Sequence, residues 1–261
     1  MQKITINNMN ELIFKLNSYP NSFAFRGQAN SEWPLVSSLE RIVPDSKKRR
    51  KVEEFTLKEF IKKFPLYSGD IDKPENKLSW LSLMQHYGIP TRLLDFTTSP
   101  YVALYFAIEN LIPNENGSIS IYAIDYDQLV KKSCEYVKER TDLIDKYSDN
   151  FSEKCEEAFE TILERSSYDV LWFVDPLQLN DRIERQSGTF LISGSFDKNI
   201  DDLIRSNVYT DVIIEEIIIS HKYLESIYCL LRKINLGPKN IYGNIEGLAK
   251  HLQLQAKIYG N

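Results

Sequence analysis

The chain has 261 residues, with 32 Lys and Arg against 37 Asp and Glu, so its formal net charge is −5. A composition of 43% hydrophobic and 26% charged residues is that of a globular protein and excludes a disordered or fibrous chain. The acidic balance argues against broad binding to nucleic acid, which requires net neutralisation of phosphates. Because no stretch approaches the ~18 apolar residues of a membrane span, we also expect no membrane association.

The cysteines and the amino terminus point to a compartment. Cys134, Cys155 and Cys229 are far apart and form no C-x-x-C pair, so we predict buried, reduced thiols in a cytoplasmic protein. Residues 1–10 are polar and lack the apolar core of a signal peptide.

Hydrophobic spacing and turn residues predict the elements in chain order. The first half predicts a helix at 9–16 capped by Asn8, a strand at 22–27, a helix over 57–64 that Pro65 ends, a helical segment at 74–87, and a buried helix at 101–110 with Ser99-Pro100 at its start. The basic run at 47–51 is followed at once by acidic residues, which favours a solvated loop.

The second half alternates strands and helices in the same way. It predicts a strand at 119–123, a helix capped by Asp125, a solvent-facing helical insertion at 133–165, strands at 170–174, 188–192 and 212–219 (the last a central strand), a helix at 224–231, and a terminal helix after Asn244. Since no linker or internal repeat interrupts this order, we predict a single α+β domain over residues 1–261.

Several common catalytic motifs are missing from the sequence. There is no P-loop and no G-x-S-x-G elbow. The histidines lack a second ligand at helical spacing, so no metal is expected. Glu215 and Glu216 are neighbours in a predicted strand, so they point to opposite faces and cannot act as a carboxylate pair.

Polar residues at the ends of two strands offer a candidate site instead. Arg26 ends one strand beside Gly27, which presents a charged fork next to backbone that a ligand can approach closely. Gln186 precedes the strand that begins near Gly188, where its amide can hydrogen-bond a ligand. The alternatives are a structural salt bridge for Arg26 and simple turn capping for Gln186.

The segment 84–100 packs a helix end, a turn, a short strand and a new helix start into seventeen residues. The free N–H groups at the start of the buried helix favour anions. The polar residues that crowd around this start are Thr91, Arg92, Asp95, Thr97 and Ser99. The alternative is a structural Arg92–Asp95 pair with ordinary capping, and His86 could equally be a hydrogen-bonded residue at a helix end.

These clusters, in this order, resemble the FRG domain family, named for a Phe-Arg-Gly triplet that is found here at 25–27. The resemblance continues through QHYG at 85–88, PTRLLD at 90–95, ALYFA at 103–107, RQSGTF at 185–190 and the tail at 241–248. It implies a bacterial or phage-borne protein, in contexts of conflict such as anti-phage defence or toxins. The order of parts is also similar to the ADP-ribosyltransferase fold, which implies a small, mainly antiparallel, split sheet flanked by helices.

That second similarity implies roles for individual residues with NAD as substrate. The transferase pattern has three elements in chain order. Arg26 and Gly27 would form the first, in which Arg26 would bind phosphate beside the Gly27 backbone. Thr97 to Ser99 would form the second, and Gln186 would be the third and would orient the ribose. His86 or Asp95 would assist proton transfer. The remaining cofactor-binding residues would be Thr91 and Arg92, with Tyr87 or Tyr105 stacking on the nicotinamide ring.

The third element departs from the transferase pattern, which usually has a glutamate where this chain has Gln186. An amide keeps the hydrogen bond but lacks the negative charge, and loss of one such group typically costs ~10²–10³ in rate; Asp95 or Glu184 would then supply the charge. The sequence therefore favours ADP-ribose transfer or NAD hydrolysis. The alternatives are a non-catalytic module that binds a nucleotide or a protein, and a metal-dependent nuclease using Asp95 with Glu184.

Overall fold

The computed structural model describes residues 1–69, 71–109, 111, 116–140, 168–174, 184–243 and 245–259. None of the helices in these ranges combines the length and apolar character needed to cross a bilayer. The predicted insertion is described only up to residue 140, where 133–138 form the end of a regular helix. The rest of that prediction, with Cys155, lies outside the described residues.

Seven strands of the described chain form one sheet. They are β1 (Gln2–Ile6), β2 (Phe23–Gln28), β3 (Leu94–Thr97), β4 (Ser118–Asp125), β5 (Leu171–Val174), β6 (Gly188–Ser193) and β7 (Ile214–Ser220). Their order across the sheet is β1-β7-β4-β2-β3-β6-β5. The strand β1 runs parallel to β7, and the other neighbours are antiparallel.

The predicted α+β class is confirmed, whereas the predicted sheet is corrected. The sheet is mixed rather than mainly antiparallel, because β1 adds a parallel edge that the sequence analysis did not predict. It is also one seven-stranded sheet rather than a small, split one. The apolar β7 lies between two neighbours, as a central strand should.

Helices cover both faces of the sheet. In chain order they are α1 (Met9–Asn17), α2 (Ser38–Ile42), α3 (Ser46–Tyr67), α4 (Lys77–His86), α5 (Pro100–Glu109), α6 (Tyr126–Lys138), α7 (Ile200–Ile204), α8 (Leu224–Lys233), α9 (Pro238–Tyr242) and α10 (Ile245–Tyr259). Successive side chains of β2 point to opposite faces of the sheet. Phe25 therefore packs in the hydrophobic cluster with α1, α5 and α8, while Ala24 packs in the cluster with α6 and α7. The nearly all-apolar α5 is buried on most sides, as its sequence predicts.

Local chemistry accounts for the helix starts. The Asn8 side chain accepts a hydrogen bond from the Glu11 N–H at 2.9 Å and so caps α1. Asp125 caps α6 in the same way.

Three local predictions need correction. Pro65 does not end its helix, because α3 continues to Tyr67 with the proline in its last turn. The basic run 47–51 belongs to α3 rather than to a loop, and Arg49 is buried there, donating to the Val43 carbonyl at 2.9 Å. Cys229 is exposed and Cys134 is partly buried, so the prediction of buried thiols is wrong for Cys229.

Candidate functional site

The candidate site lies between β2 and β3, where the pairing within the sheet is shortest. The strand β2 pairs with β4 over six residues but with β3 only through Phe25 and Thr97. Beyond this pair β2 and β3 separate, and a cavity of about 650 Å³ is lined by residues of both strands. The opening in the backbone ladder is therefore what creates space for a ligand.

Arg26 spans this opening. Its Nη1 donates to the carbonyl oxygen of Asp95 on β3 at 2.6 Å, so a side chain takes the place of a ladder hydrogen bond. Its buried Nε has no hydrogen-bond partner among the described residues. Burial lowers the pKa of Arg26 and the nearby Asp95 opposes that shift, yet arginine stays charged in proteins. The cavity thus contains a desolvated cation with an unused donor.

A relay of side chains holds the Asp95 carboxylate at the cavity wall. Gln85 donates from Nε2 to Asp95 Oδ1 at 2.6 Å. The Thr91 hydroxyl in turn donates to the side-chain oxygen Oε1 of Gln85. The backbone N–H of Thr91 donates to the Ser38 hydroxyl at 3.0 Å. The role of Gln85 was missed by the sequence analysis, although it lies in the QHYG stretch.

Gln186 reaches the cavity from the turn before β6. Its backbone carbonyl accepts from the Thr97 hydroxyl at 2.7 Å, which ties the turn to the end of β3. The buried Nε2 of Gln186 and the buried Oε1 of Gln28 both lack a hydrogen-bond partner in the part of the chain that the structure describes. Buried polar atoms are normally satisfied, so these two amides are suited to contacts with a ligand.

The structure brings together six of the predicted site residues. Those that line the cavity are Arg26, Gly27, His86, Asp95, Thr97 and Gln186. Those that do not are Tyr87, Thr91, Arg92, Ser99 and Tyr105.

Arg92 has a structural role with a partner other than the one considered from the sequence. Its guanidinium lies 2.5 Å (Nη2) and 2.9 Å (Nε) from Glu53 Oε2, and its backbone N–H donates to Glu53 Oε1 at 3.1 Å. The guanidinium also stacks on the Phe196 ring, 3.6 Å from its centroid. Both members of this pair are buried, so Arg92 is enclosed by protein and does not face the cavity.

The other four residues are placed by packing and capping. Tyr105 is only 1% exposed in the core and donates to Glu109 Oε1 at 2.7 Å, whereas Tyr87 is exposed and meets His86 edge-on. Ser99 accepts from the Val102 N–H at 3.4 Å and caps α5. Thr91 serves the relay to Asp95. Neither tyrosine therefore presents its ring to the cavity.

The glycine at position 27 is explained by helix packing. A Cβ built there would lie 1.9 Å from the carbonyl oxygen of Ala103 and 2.6 Å from the backbone nitrogen of Ala107, both on α5. Gly27 therefore allows α5, rather than a ligand, to approach the β2 backbone closely. This contact fixes the strand that carries Arg26 against the core.

A second wall of the cavity comes from the carboxyl-terminal segment. Glu109 at the end of α5 accepts at Oε1 from the Tyr242 hydroxyl at 2.6 Å and from Lys250 Nζ at 3.1 Å, and its backbone carbonyl accepts from Lys257 Nζ at 3.0 Å. Glu109, Tyr242 and Lys250 all line the cavity. The sequence analysis missed these three, although the tail at 241–248 had marked the region.

Comparisons with known proteins place part of this arrangement in a family. No curated protein and no solved structure matches the chain. The family model for the FRG domain matches residues 21–116, which hold Arg26, Gln85 and Asp95, while Gln186 and the carboxyl-terminal wall lie beyond the match. The match to the FRG domain model ends at residue 116, and the cavity is completed by residues that follow the matched segment.

Proposed function

We propose that the cavity binds a nucleotide-type ligand, with NAD as the first candidate, and that the protein transfers ADP-ribose from it or hydrolyses it. The observation that carries this proposal is Arg26, a desolvated cation with an unused donor, in one cavity with Asp95 and Gln186. A partly buried guanidinium with a buried, unpartnered Nε is suited to a phosphate because charge-assisted hydrogen bonds are about twice as strong as neutral ones.

The lining supports a ligand with both charged and planar parts. Arg26 and Arg41 supply positive charge for phosphate groups. Gln28 and Gln186 supply amides for hydroxyl or carboxamide groups, and aromatic side chains supply apolar surface. A volume of about 650 Å³ lies within the range of small-molecule sites.

The proposed chemistry breaks the bond between the ribose C1′ and the nicotinamide nitrogen. The bonding electron pair leaves with nicotinamide, and an acceptor hydroxyl or water forms the new bond to C1′. Asp95, oriented by Gln85, would take the proton from that nucleophile, and the Gln186 amide would hydrogen-bond a ribose hydroxyl. His86 lines the same cavity and is the alternative proton acceptor.

A second candidate is a recognition module that binds a nucleotide or a protein without turnover. Gln186 favours it, because a neutral amide does not stabilise a cationic transition state as a carboxylate would. The nuclease alternative lacks such support: within the described ranges, no three acidic, histidine or cysteine side chains are grouped as metal ligands.

The test measures binding and consumption separately. NAD, ADP-ribose and AMP are titrated calorimetrically, and nicotinamide release from NAD is followed by chromatography. We expect micromolar binding that Arg26→Met weakens at least tenfold, while Arg140→Met, which removes an exposed arginine that lies over the Tyr136 ring, leaves it unchanged. Binding with turnover supports the enzyme, binding without turnover supports the recognition module, and absence of both refutes the proposal.

We also propose a role in bacterial or phage conflict, which the FRG resemblance implies. If the proposed activity depletes NAD in a host cell, expression should slow growth and lower cellular NAD. Arg26→Met should abolish both effects. Growth arrest that persists in Arg26→Met would separate any toxicity from the cavity.

A further inference from the structure

Trp33 stands out as a large aromatic side chain held at the cavity while much of it stays exposed. Its exposed fraction is 52%, whereas Trp80 and Trp172 are 6% and 1% exposed. Trp33 lines the cavity together with Arg26 and Gln28. A half-exposed indole that lines a cavity with buried polar groups is stronger evidence for a ligand contact than an isolated aromatic side chain on an open surface.

The loop that carries Trp33 is held from several sides. Within it, the Trp33 N–H donates to the Asn30 carbonyl at 3.2 Å, and the Asn30 side chain accepts from the Glu32 N–H at 2.9 Å. The Ser31 N–H donates to the Ser118 carbonyl on β4 at 2.9 Å. These hydrogen bonds therefore hold the backbone that carries the exposed indole.

Two cavity residues fix the following part of the same loop. Gln28 Nε2 donates to the Pro34 carbonyl at 3.4 Å, and Arg41 Nη1 donates to the Val36 carbonyl at 2.8 Å. The first bond leaves Gln28 Oε1 buried and without a partner among the described residues. An exposed indole and a buried acceptor thus line the same cavity.

We propose that Trp33 is the stacking platform for the planar heterocycle of the ligand and that Gln28 Oε1 accepts a hydrogen bond from an exocyclic amine on that heterocycle. The inference rests on the proposed nucleotide-binding function and specifies its ligand: a purine-type base with an exocyclic amine, linked to phosphate. Every base has a π face that can stack on an aromatic side chain. The purine base is thus assigned to Trp33, a residue that the sequence analysis did not consider.

The experiment separates the ring from the phosphate. AMP carries both groups, whereas ribose 5-phosphate carries only the phosphate. We expect Trp33→Leu to weaken AMP binding about 5- to 150-fold, the range for loss of one stacked base. Trp33→Phe should retain most of the affinity, and Tyr67→Leu, at an exposed position on α3, should retain all of it.

Two further readouts make the assignment specific. Ribose 5-phosphate binding should be unchanged in Trp33→Leu but lost in Arg26→Met. In the wild type, AMP should quench the fluorescence of the exposed indole, and Trp33→Phe should abolish that quenching because the two other tryptophans are buried. Melting temperatures equal to wild type will show that the variants are folded.

The failures of the two proposals can be told apart. If the wild type binds AMP and Trp33→Leu binds it equally well, the stacking inference is overturned while nucleotide binding stands. If AMP binding is lost in Trp33→Leu together with ribose 5-phosphate binding, Trp33 acts on the whole cavity and the inference is likewise overturned. If the wild type binds no nucleotide, both proposals fall.

Discussion

Replacing Glu53 by glutamine should destabilise the fold strongly, because it removes the negative charge from a buried ion pair. Glu53 lies on α3 and is 0% exposed, and Arg92 in the loop before β3 is 5% exposed. Three hydrogen bonds join them: two from the guanidinium and one from the Arg92 N–H. Glutamine can accept some of these bonds, but it supplies no negative charge opposite the buried guanidinium.

The magnitude follows from burial. Breaking a buried pair by removing one partner typically costs about 3–5 kcal/mol. For a chain of this size, each kcal/mol lowers the melting temperature by about 2–4 °C, so we expect a decrease of about 6–20 °C. Replacing both partners, as in Glu53→Leu with Arg92→Met, should recover part of this loss because no buried charge is left alone.

The assay is urea unfolding followed by circular dichroism, with a matched control on the same helix. Glu59→Gln breaks the pair with Lys63, whose side chains are 34% and 59% exposed. This exposed pair should contribute far less to stability than the buried pair, because water screens the two charges. A loss below about 1 kcal/mol in Glu53→Gln, or equal losses in the two variants, would refute the assignment of Arg92 as a buried structural residue.

Three more outcomes are expected. Gly27→Ala should destabilise the fold by at least about 3 kcal/mol or prevent soluble expression, because the new Cβ meets backbone atoms of α5 at 1.9 Å and 2.6 Å. Glu109→Gln should weaken local stability over residues 238–259 by about 2 kcal/mol, seen as a roughly 30-fold faster hydrogen exchange there, since Tyr242 and Lys250 lose a charged acceptor. Burial raises the pKa of Cys134 to about 11, so at pH 8 about 0.1% is thiolate and alkylation should be slow, rising about tenfold per pH unit up to that pKa.

Each of these has a control. Gly237→Ala should be tolerated, since a Cβ there meets nothing within 4 Å and its φ is −174°. Glu246→Gln, whose carboxylate lies 4.0 Å from Lys250, should leave exchange nearly unchanged. In a Cys155→Ser background, the exposed Cys229 should react first. A tolerated Gly27→Ala, unchanged exchange in Glu109→Gln, or Cys134 reacting as fast as Cys229 would contradict the respective reasoning.

Much of the local structure could be predicted from the sequence, for identifiable reasons. The cap of α1 by Asn8 and the start of α5 at Pro100 depend on residues a few positions apart, so they are visible in the chain itself. The strand β1 was missed because its five residues are mostly exposed and carry little apolar pattern. It is stabilised by its pairing with β7, more than 200 residues away in sequence.

The candidate site was predictable only as a set of residue types. The sequence predicts an arginine, a carboxylate and an amide near the ends of strands. Which of them share a cavity depends on the separation of β2 from β3, and neighbouring residues do not encode that. The same holds for Arg92 in the loop before β3, whose partner Glu53 lies 39 positions away on α3.

The sequence by itself determined the α+β class, most of the helix and strand positions, and the FRG motifs, because periodicity, caps and turn residues act over a few positions. Only the tertiary structure decided that Arg26, Asp95 and Gln186 line one cavity while Arg92 and Tyr105 do not. It also brought Glu109, Tyr242 and Lys250 together across more than 130 positions. The physical reason is that burial and hydrogen-bond partners are set by contacts between distant segments, so similar polar residues serve packing in one place and face a ligand cavity in another.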